Sequence, residues 1–222
     1  LEEGIIYSMF IFTEENIKSI KNVVYSNDSM SDKHAERIEY VKTKGLFKDF
    51  NFSKYFTKNP PKNSSIQTYQ ELLYLKDLPE DNDFVEKHDD IESIFEEVCN
   101  EHNLTFPKDL VEEILKSCSM LELKYHYNRP RPFQLANYYN IKLGEYVMES
   151  MKTPSYPSGH SAQGILVGKI LQTKLPINTD AFLEAAKRIS YSRNLGRAHY
   201  PSDSKLGEDI GDEMFRHIRH KI

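Results

Sequence analysis

The run "PSGHSAQGILVGKILQTK", residues 157–174, decides how this chain is read. A proline, a serine and a glycine lead into His160, and an apolar stretch, "ILVGKIL", follows. Ser158 is a good N-cap, and small residues suit the turn before it. A helix over 160–174 is predicted. Its entrance has two readings. It is a capped helix start and nothing more, or it is an anion site, because the unpaired N–H groups and partial positive charge of a helix N-terminus attract phosphate. His160 in that place can move a proton at neutral pH.

Outward from this helix the pattern stays helical. Residues 180–194 follow with Thr179 as cap, and 203–219 with Ser202 as cap and Leu206, Ile210, Met214 and Ile218 at helical spacing. Upstream, Leu110, Val111, Ile114, Leu115, Cys118 and Leu121 form one stripe behind Pro107, a first-turn proline. Phe84, Val85, His88, Ile91, Ile94, Phe95 and Val98 form a longer one, and Ile66, Tyr69, Leu72, Leu73 and Leu75 another. "KNPPKNSS" is a break, since two prolines cannot continue a helix. Before it, "TEENIKSIKNVVY" has Thr13 as cap, "SDKHAERIEYVKTKG" reads as a short helix stopped at Gly45, and "IIYSMFIF" is strand or buried helix. Little else alternates with period two. The expected fold class is all-α, a compact multi-helix bundle. Residues 59–222 are its helical domain; residues 1–58 have no assigned role and are expected to pack on it.

Composition narrows the function. The 222 residues are 39% hydrophobic, enough for a core, with a net charge of −5 from 29 basic and 34 acidic residues. A general nucleic-acid binder is usually basic, so none is expected. No run of 18 apolar residues exists, so no transmembrane segment is expected. The first residues lack a basic region and a cleavage site, which favours a soluble, cytoplasmic protein, or a periplasmic or secreted one if a leader was trimmed before Leu1. Cys99 and Cys118 have no CxxC spacing and are expected as buried free thiols.

Two further segments complete the first. "KYHYNRPRP", residues 124–132, gathers Lys124, Arg129 and Arg131. Alone it reads as a helix C-terminus dressed with cations. "SRNLGRAHYPSD", residues 192–203, places Arg193, His199 and Asp203 at spacings of six and four. A carboxylate four residues from an imidazole reaches it on one helical turn, fixes its tautomer and makes the other nitrogen a better nucleophile. Together the segments make a phosphoryl-transfer site. The transferred group needs fixed cations and N–H donors, which Lys124, Arg131, Arg193, the Ser158 hydroxyl and the Gly159 N–H supply. His199 backed by Asp203 is the candidate nucleophile, and His160 the candidate general acid. No magnesium-binding carboxylate cluster is read: "DDIE" and "PEDND" look like solvated acidic helix ends.

These segments resemble the signature of the type 2 phosphatidic acid phosphatase superfamily, which includes soluble bacterial non-specific acid phosphatases, lipid phosphatases and vanadium haloperoxidases. Its pattern is KxxxxxxRP, PSGH and SRxxxxxHxxxD. Lys124 to Arg131-Pro132, residues 157–160, and Ser192-Arg193, His199 and Asp203 match it in type and spacing. Arg129-Pro130 is also an "RP" but at the wrong spacing. The resemblance implies a helical fold of the acid phosphatase and haloperoxidase type, a small phosphate ester as substrate and no cofactor. It also implies attack by His199 to form a phosphohistidine, proton transfer by His160, support from Asp203, vanadate inhibition, and a cradle of Lys124, Arg131, Ser158, Gly159 and Arg193.

"NRPRPF" looks more like the soluble acid phosphatases than the haloperoxidases. Two alternatives stand beside the phosphatase: a vanadate-dependent haloperoxidase using the same pocket, and an inactive helical interaction module. A homo-oligomer is compatible with either. Tyr200 stands where many soluble relatives carry tryptophan, as a substrate wall or as packing.

Overall fold

The computed structural model of the chain describes residues 13–144 and 146–221. The "IIYSMFIF" segment lies outside them. Among the described residues there are helices and no strand. In chain order they are α1 (Glu14–Asn22), α2 (Asp32–Thr43), α3 (Ile66–Asp77), α4 (Asn82–Lys87), α5 (Ile91–Glu101), α6 (Lys108–Ser117), α7 (Leu121–Tyr127), α8 (Pro132–Ala136), α9 (Gly159–Lys174), α10 (Ala181–Leu195) and α11 (Pro201–Ile218). The chain is all-α.

Helix α9 is the axis of the bundle. It packs along both α10 and α11, with α5 and α6 beside it. Its buried residues, among them Ala162, Leu166, Val167, Ile170 and Leu171, lie all round it rather than on one face. A helix apolar on every side belongs in a core. Ser158 caps it, accepting from the Ser161 N–H at 3.3 Å. Helix α11 crosses α9 closely because it carries Gly207 and Gly211 there. A Cβ on Gly207 would run into the Ser158 carbonyl, and one on Gly211 into the Ala162 carbonyl. The two helices that carry the second and third motifs are therefore locked backbone to backbone.

The N-terminal third enters the same interior. Phe47 and Tyr55 belong to the main apolar cluster, and Ile20 to a second one with Leu72, Leu75, Leu135 and Tyr200. Asn63 donates to the Ile20 and Val23 carbonyls, and Tyr25 N–H to the Asn128 carbonyl at 3.0 Å.

Several expected boundaries moved, each for a local reason. The stripe from Phe84 to Val98 is two helices, α4 and α5, because Asp89 and Asp90 intervene and Asp90 caps the second, accepting from Ser93 N–H at 3.1 Å. The stripe from Leu110 to Leu121 breaks after Ser117. Thr179 is not a cap: α10 begins at Ala181, after Asp180. Ser202 is not one either. Pro201 takes the first position of α11, as its fixed φ favours. Cys99 and Cys118 are free and buried.

Candidate active site

The start of α11 builds the half of the site around His199. Asp203 sits in its first turn, and its carboxylate turns back to accept the Tyr200 N–H at 2.9 Å. The same oxygen, Oδ2, lies 3.3 Å from His199 Nδ1 and accepts the Ser155 hydroxyl. The other, Oδ1, accepts from Arg129 at 2.5 Å. Burial alone would raise the Asp203 pKa, but Arg129, His199 and Ser155 outweigh it and hold the group ionised, well below the usual carboxylate range. His199 is 2% exposed. Burial, and then the Arg131 and Lys124 charges, push its pKa well below the ordinary value. A neutral imidazole beside an ionised carboxylate carries its proton on Nδ1, a tautomer assigned from these hydrogen bonds. That leaves the Nε2 lone pair outward, where Arg131 Nη1 meets it at 3.1 Å.

The cations come from the turn after α7. Lys124 lies on the buried face of α7, and its ammonium donates to the Pro154 carbonyl at 2.8 Å. Burial, with Arg131 nearby, drives its pKa well down. Asn128 ends the helix in the left-handed region, φ 46°, and "RPRP" then turns both arginines inward. Arg131 is fully buried. It donates to the carbonyls of Thr153 at 2.8 Å, Ser150 at 2.7 Å and Ala198 at 2.7 Å. Burial lowers its pKa to about 10, so it remains charged at neutral pH. Arg193, in the last turn of α10, is also fully buried.

The PSGH turn closes the site. Ser158 N–H donates to the Asp203 carbonyl at 3.0 Å, tying the entrance of α9 to the nucleophile's helix. Gly159 faces open space: a Cβ there would meet nothing within 4 Å. The His160 side chain is 20% exposed, the only catalytic candidate with substantial access. Its Nε2 lies 3.1 Å from the Asp89 carbonyl and 3.3 Å from the Asp89 carboxylate. The same carboxylate oxygen accepts from Arg193 at 2.5 Å. Burial lowers the His160 pKa while Asp89 opposes that fall. The bond to His160, with Arg193, holds Asp89 below the ordinary carboxylate range.

All eight residues singled out in the sequence thus lie around one buried locus. They form two halves: His199, Asp203, Arg131 and Lys124 in one, His160 and Arg193 in the other. The link between halves is backbone: Ser158 to Asp203, and the N–H groups of Ala198 and His199 to the Arg193 carbonyl at 3.0 and 3.2 Å. Three side chains were missed. Asp89 is no solvated helix end, since it holds His160 and Arg193 together. Arg129, set aside by spacing, binds Asp203. Glu71 binds Arg129 at 3.2 Å. Its signal was available: Glu71 sits beside Leu72, one turn from Thr68 and Leu75, on the buried face of α3. Tyr200 is packing and not a substrate wall, fully buried with the Arg129 guanidinium 3.9 Å from its ring centre.

The family model described as the PAP2 superfamily matches residues 110–212, which include every residue of the two halves. Over that segment, a little under half of its length, the chain is similar to the PAP2 superfamily. It is 31% identical over 96 residues to a non-specific acid phosphatase of Salmonella typhimurium, and 30% identical over 96 residues to one of Salmonella typhi. Each match covers 43% of this chain and 38% of the relative, so the chain spans about two fifths of the length of the curated relatives it matches.

Proposed function

We propose that this protein hydrolyses phosphomonoesters, with a covalent phosphohistidine on His199 and no metal in the chemical steps. The observation that carries the reading is the buried His199–Asp203 pair, with Nε2 turned toward Arg131. That lone pair accepts a bond from Arg131. A phosphoryl oxygen is a stronger acceptor for the guanidinium than an imidazole nitrogen, so substrate binding frees Nε2 for attack.

Nε2 forms a bond to phosphorus as the ester P–O bond breaks, and His160 gives the departing alcohol its proton. Neutral His160 then takes a proton from water, whose oxygen attacks phosphorus and breaks the N–P bond. Arg131, Lys124, Arg193 and the N–H groups at the head of α9 hold the equatorial oxygens. His160 needs a proton for the first step, and a bound phosphoryl dianion favours its charged form as it does that of Lys124. The relatives' activity, non-specific acid phosphatase, agrees with this chemistry and with a small phosphate ester as substrate. Among the described residues no helix is long and apolar enough to cross a membrane.

The test is hydrolysis of para-nitrophenyl phosphate in EDTA from acidic to neutral pH. Activity should survive chelation, be blocked by vanadate, and fall at least about 10³-fold in His199→Ala, as losing a covalent nucleophile generally does. A folded wild-type chain without activity at any pH would contradict the proposal.

A further inference from the structure

The mechanism leaves the buried Arg129 without a role. Arg129 is 3% exposed and lies outside the phosphate cradle. One arm of its guanidinium reaches Asp203 Oδ1 at 2.5 Å and Ser202 Oγ at 2.8 Å. The other reaches Glu71 Oε2 at 3.2 Å. Its face lies on Tyr200. Glu71 is itself fixed, accepting the Ser202 N–H at 2.7 Å and the Ser202 hydroxyl at 3.0 Å. A continuous chain therefore runs Glu71–Arg129–Asp203–His199, from α3 through the α7–α8 turn to the head of α11.

We infer that Arg129, braced by Glu71, is a positioning residue for the nucleophile: it pins Asp203 Oδ1 so that Oδ2 stays presented to His199 Nδ1. The kinetic part of this inference rests on the phosphatase proposal; the structural part does not. The torsion that aims a carboxylate is broad and roughly two-fold, so it must be held from outside. Oδ2 already serves His199, Ser155 and the Tyr200 N–H. Among the described residues, Arg129 alone is seen to hold Oδ1. An arginine suits the place because its rigid planar fork holds two carboxylates in fixed directions, whereas a lysine is a point charge on a flexible stem. A buried ion network of this kind is weak evidence for stability, since desolvation offsets most of its attraction. Its value lies in orientation.

The experiment uses the full chain with Arg129→Gln, Arg129→Lys and Glu71→Gln. Three quantities are read: the low-field NMR resonance of the His199 Nδ1 proton, inorganic phosphate affinity and stoichiometry by calorimetry, and kcat per phosphate-binding site. Arg129→Gln should lose the Nδ1 proton signal to exchange. It should still bind one phosphate within about threefold of wild-type affinity, because the cradle is untouched, while kcat falls about a hundredfold, the scale of a misplaced reacting group. Arg129→Lys should recover part of both losses. If Arg129→Gln does not fold, Glu71→Gln carries the test, with the same changes at about tenfold in kcat. A folded variant that keeps the proton signal, with kcat within threefold of wild type, overturns the inference. So does a parallel loss of phosphate stoichiometry and kcat, which marks a merely structural role. A wild type without turnover, together with a variant that loses the Nδ1 signal, counts against the phosphatase proposal and leaves the positioning of His199 standing.

Discussion

Two carboxylates hold the two histidines differently. Asp203 is buried and grips His199 at Nδ1, leaving Nε2 as the proposed nucleophile. Asp89 is 37% exposed at its side chain and supports His160 from the solvent side while bracing Arg193. Its charge favours protonated His160, and Arg193 opposes that. Asp89→Asn removes the favourable charge and leaves Arg193 uncompensated, so the His160 pKa should fall. The alkaline limb of the kcat–pH profile, where the general acid loses its proton, should then move to lower pH, with kcat down about tenfold or more. An unmoved limb would show that Asp89 does not act on the general acid. At this scale the sequence was legible where the motif pattern was. His199 and Asp203 meet at their four-residue spacing, but not along a helix: His199 precedes the cap residue Tyr200, and Asp203 in the first turn of α11 reaches back to it. Arg131 separated from Arg129 by the distance from Lys124 that the family pattern sets. Asp89 was not legible, since "DDIE" reads as an ordinary solvated acidic run and its carboxylate gains its partners, Arg193 and His160, through tertiary approach alone. The two readings of Tyr200 were likewise decided by packing alone.

Elements were legible where the apolar period ran unbroken. Helix α9 followed from one cap and one apolar run. The α4–α5 break was not visible, because the stripe keeps its period across Asp89 and Asp90 while the backbone restarts at a new cap. That break is what delivers Asp89 to the site. The glycines of α11 serve at the same scale. Gly211→Ala should cost about 1–3 kcal/mol of unfolding free energy, as overpacking of a close contact does, with kcat little changed. Gly207→Ala should cost a similar amount and also reduce kcat, because its contact is the carbonyl of Ser158. Urea unfolding beside initial rates separates the two. Equal kcat losses would contradict a coupling local to the PSGH turn.

The whole molecule is stabilised above acid pH by the groups it buries. His160 and His199 both have folded pKa values below ordinary. In the unfolded chain they take protons as pH falls through about 6.5, and in the native chain they resist, so native stability declines from there downward. Asp89 and Asp203 have depressed folded values as well. Their contribution is complete above about pH 4 and is lost as pH falls below it. The unfolding temperature should therefore fall in two stages between pH 7 and pH 3. Inorganic phosphate should raise it throughout, as any ligand of the native state does. A temperature independent of pH between 7 and 5 would contradict the neutral assignment of the buried histidines.

One measurement reaches the central claim directly: trapping the enzyme during turnover of a ³²P-labelled monoester by alkaline quench. A phosphohistidine is stable in base and labile in acid, unlike a phosphoserine or an acyl phosphate. The account predicts base-stable, acid-labile label on the peptide that carries His199, and none in His199→Ala. Turnover by the wild type with no such label, or with label that persists in His199→Ala, would contradict it.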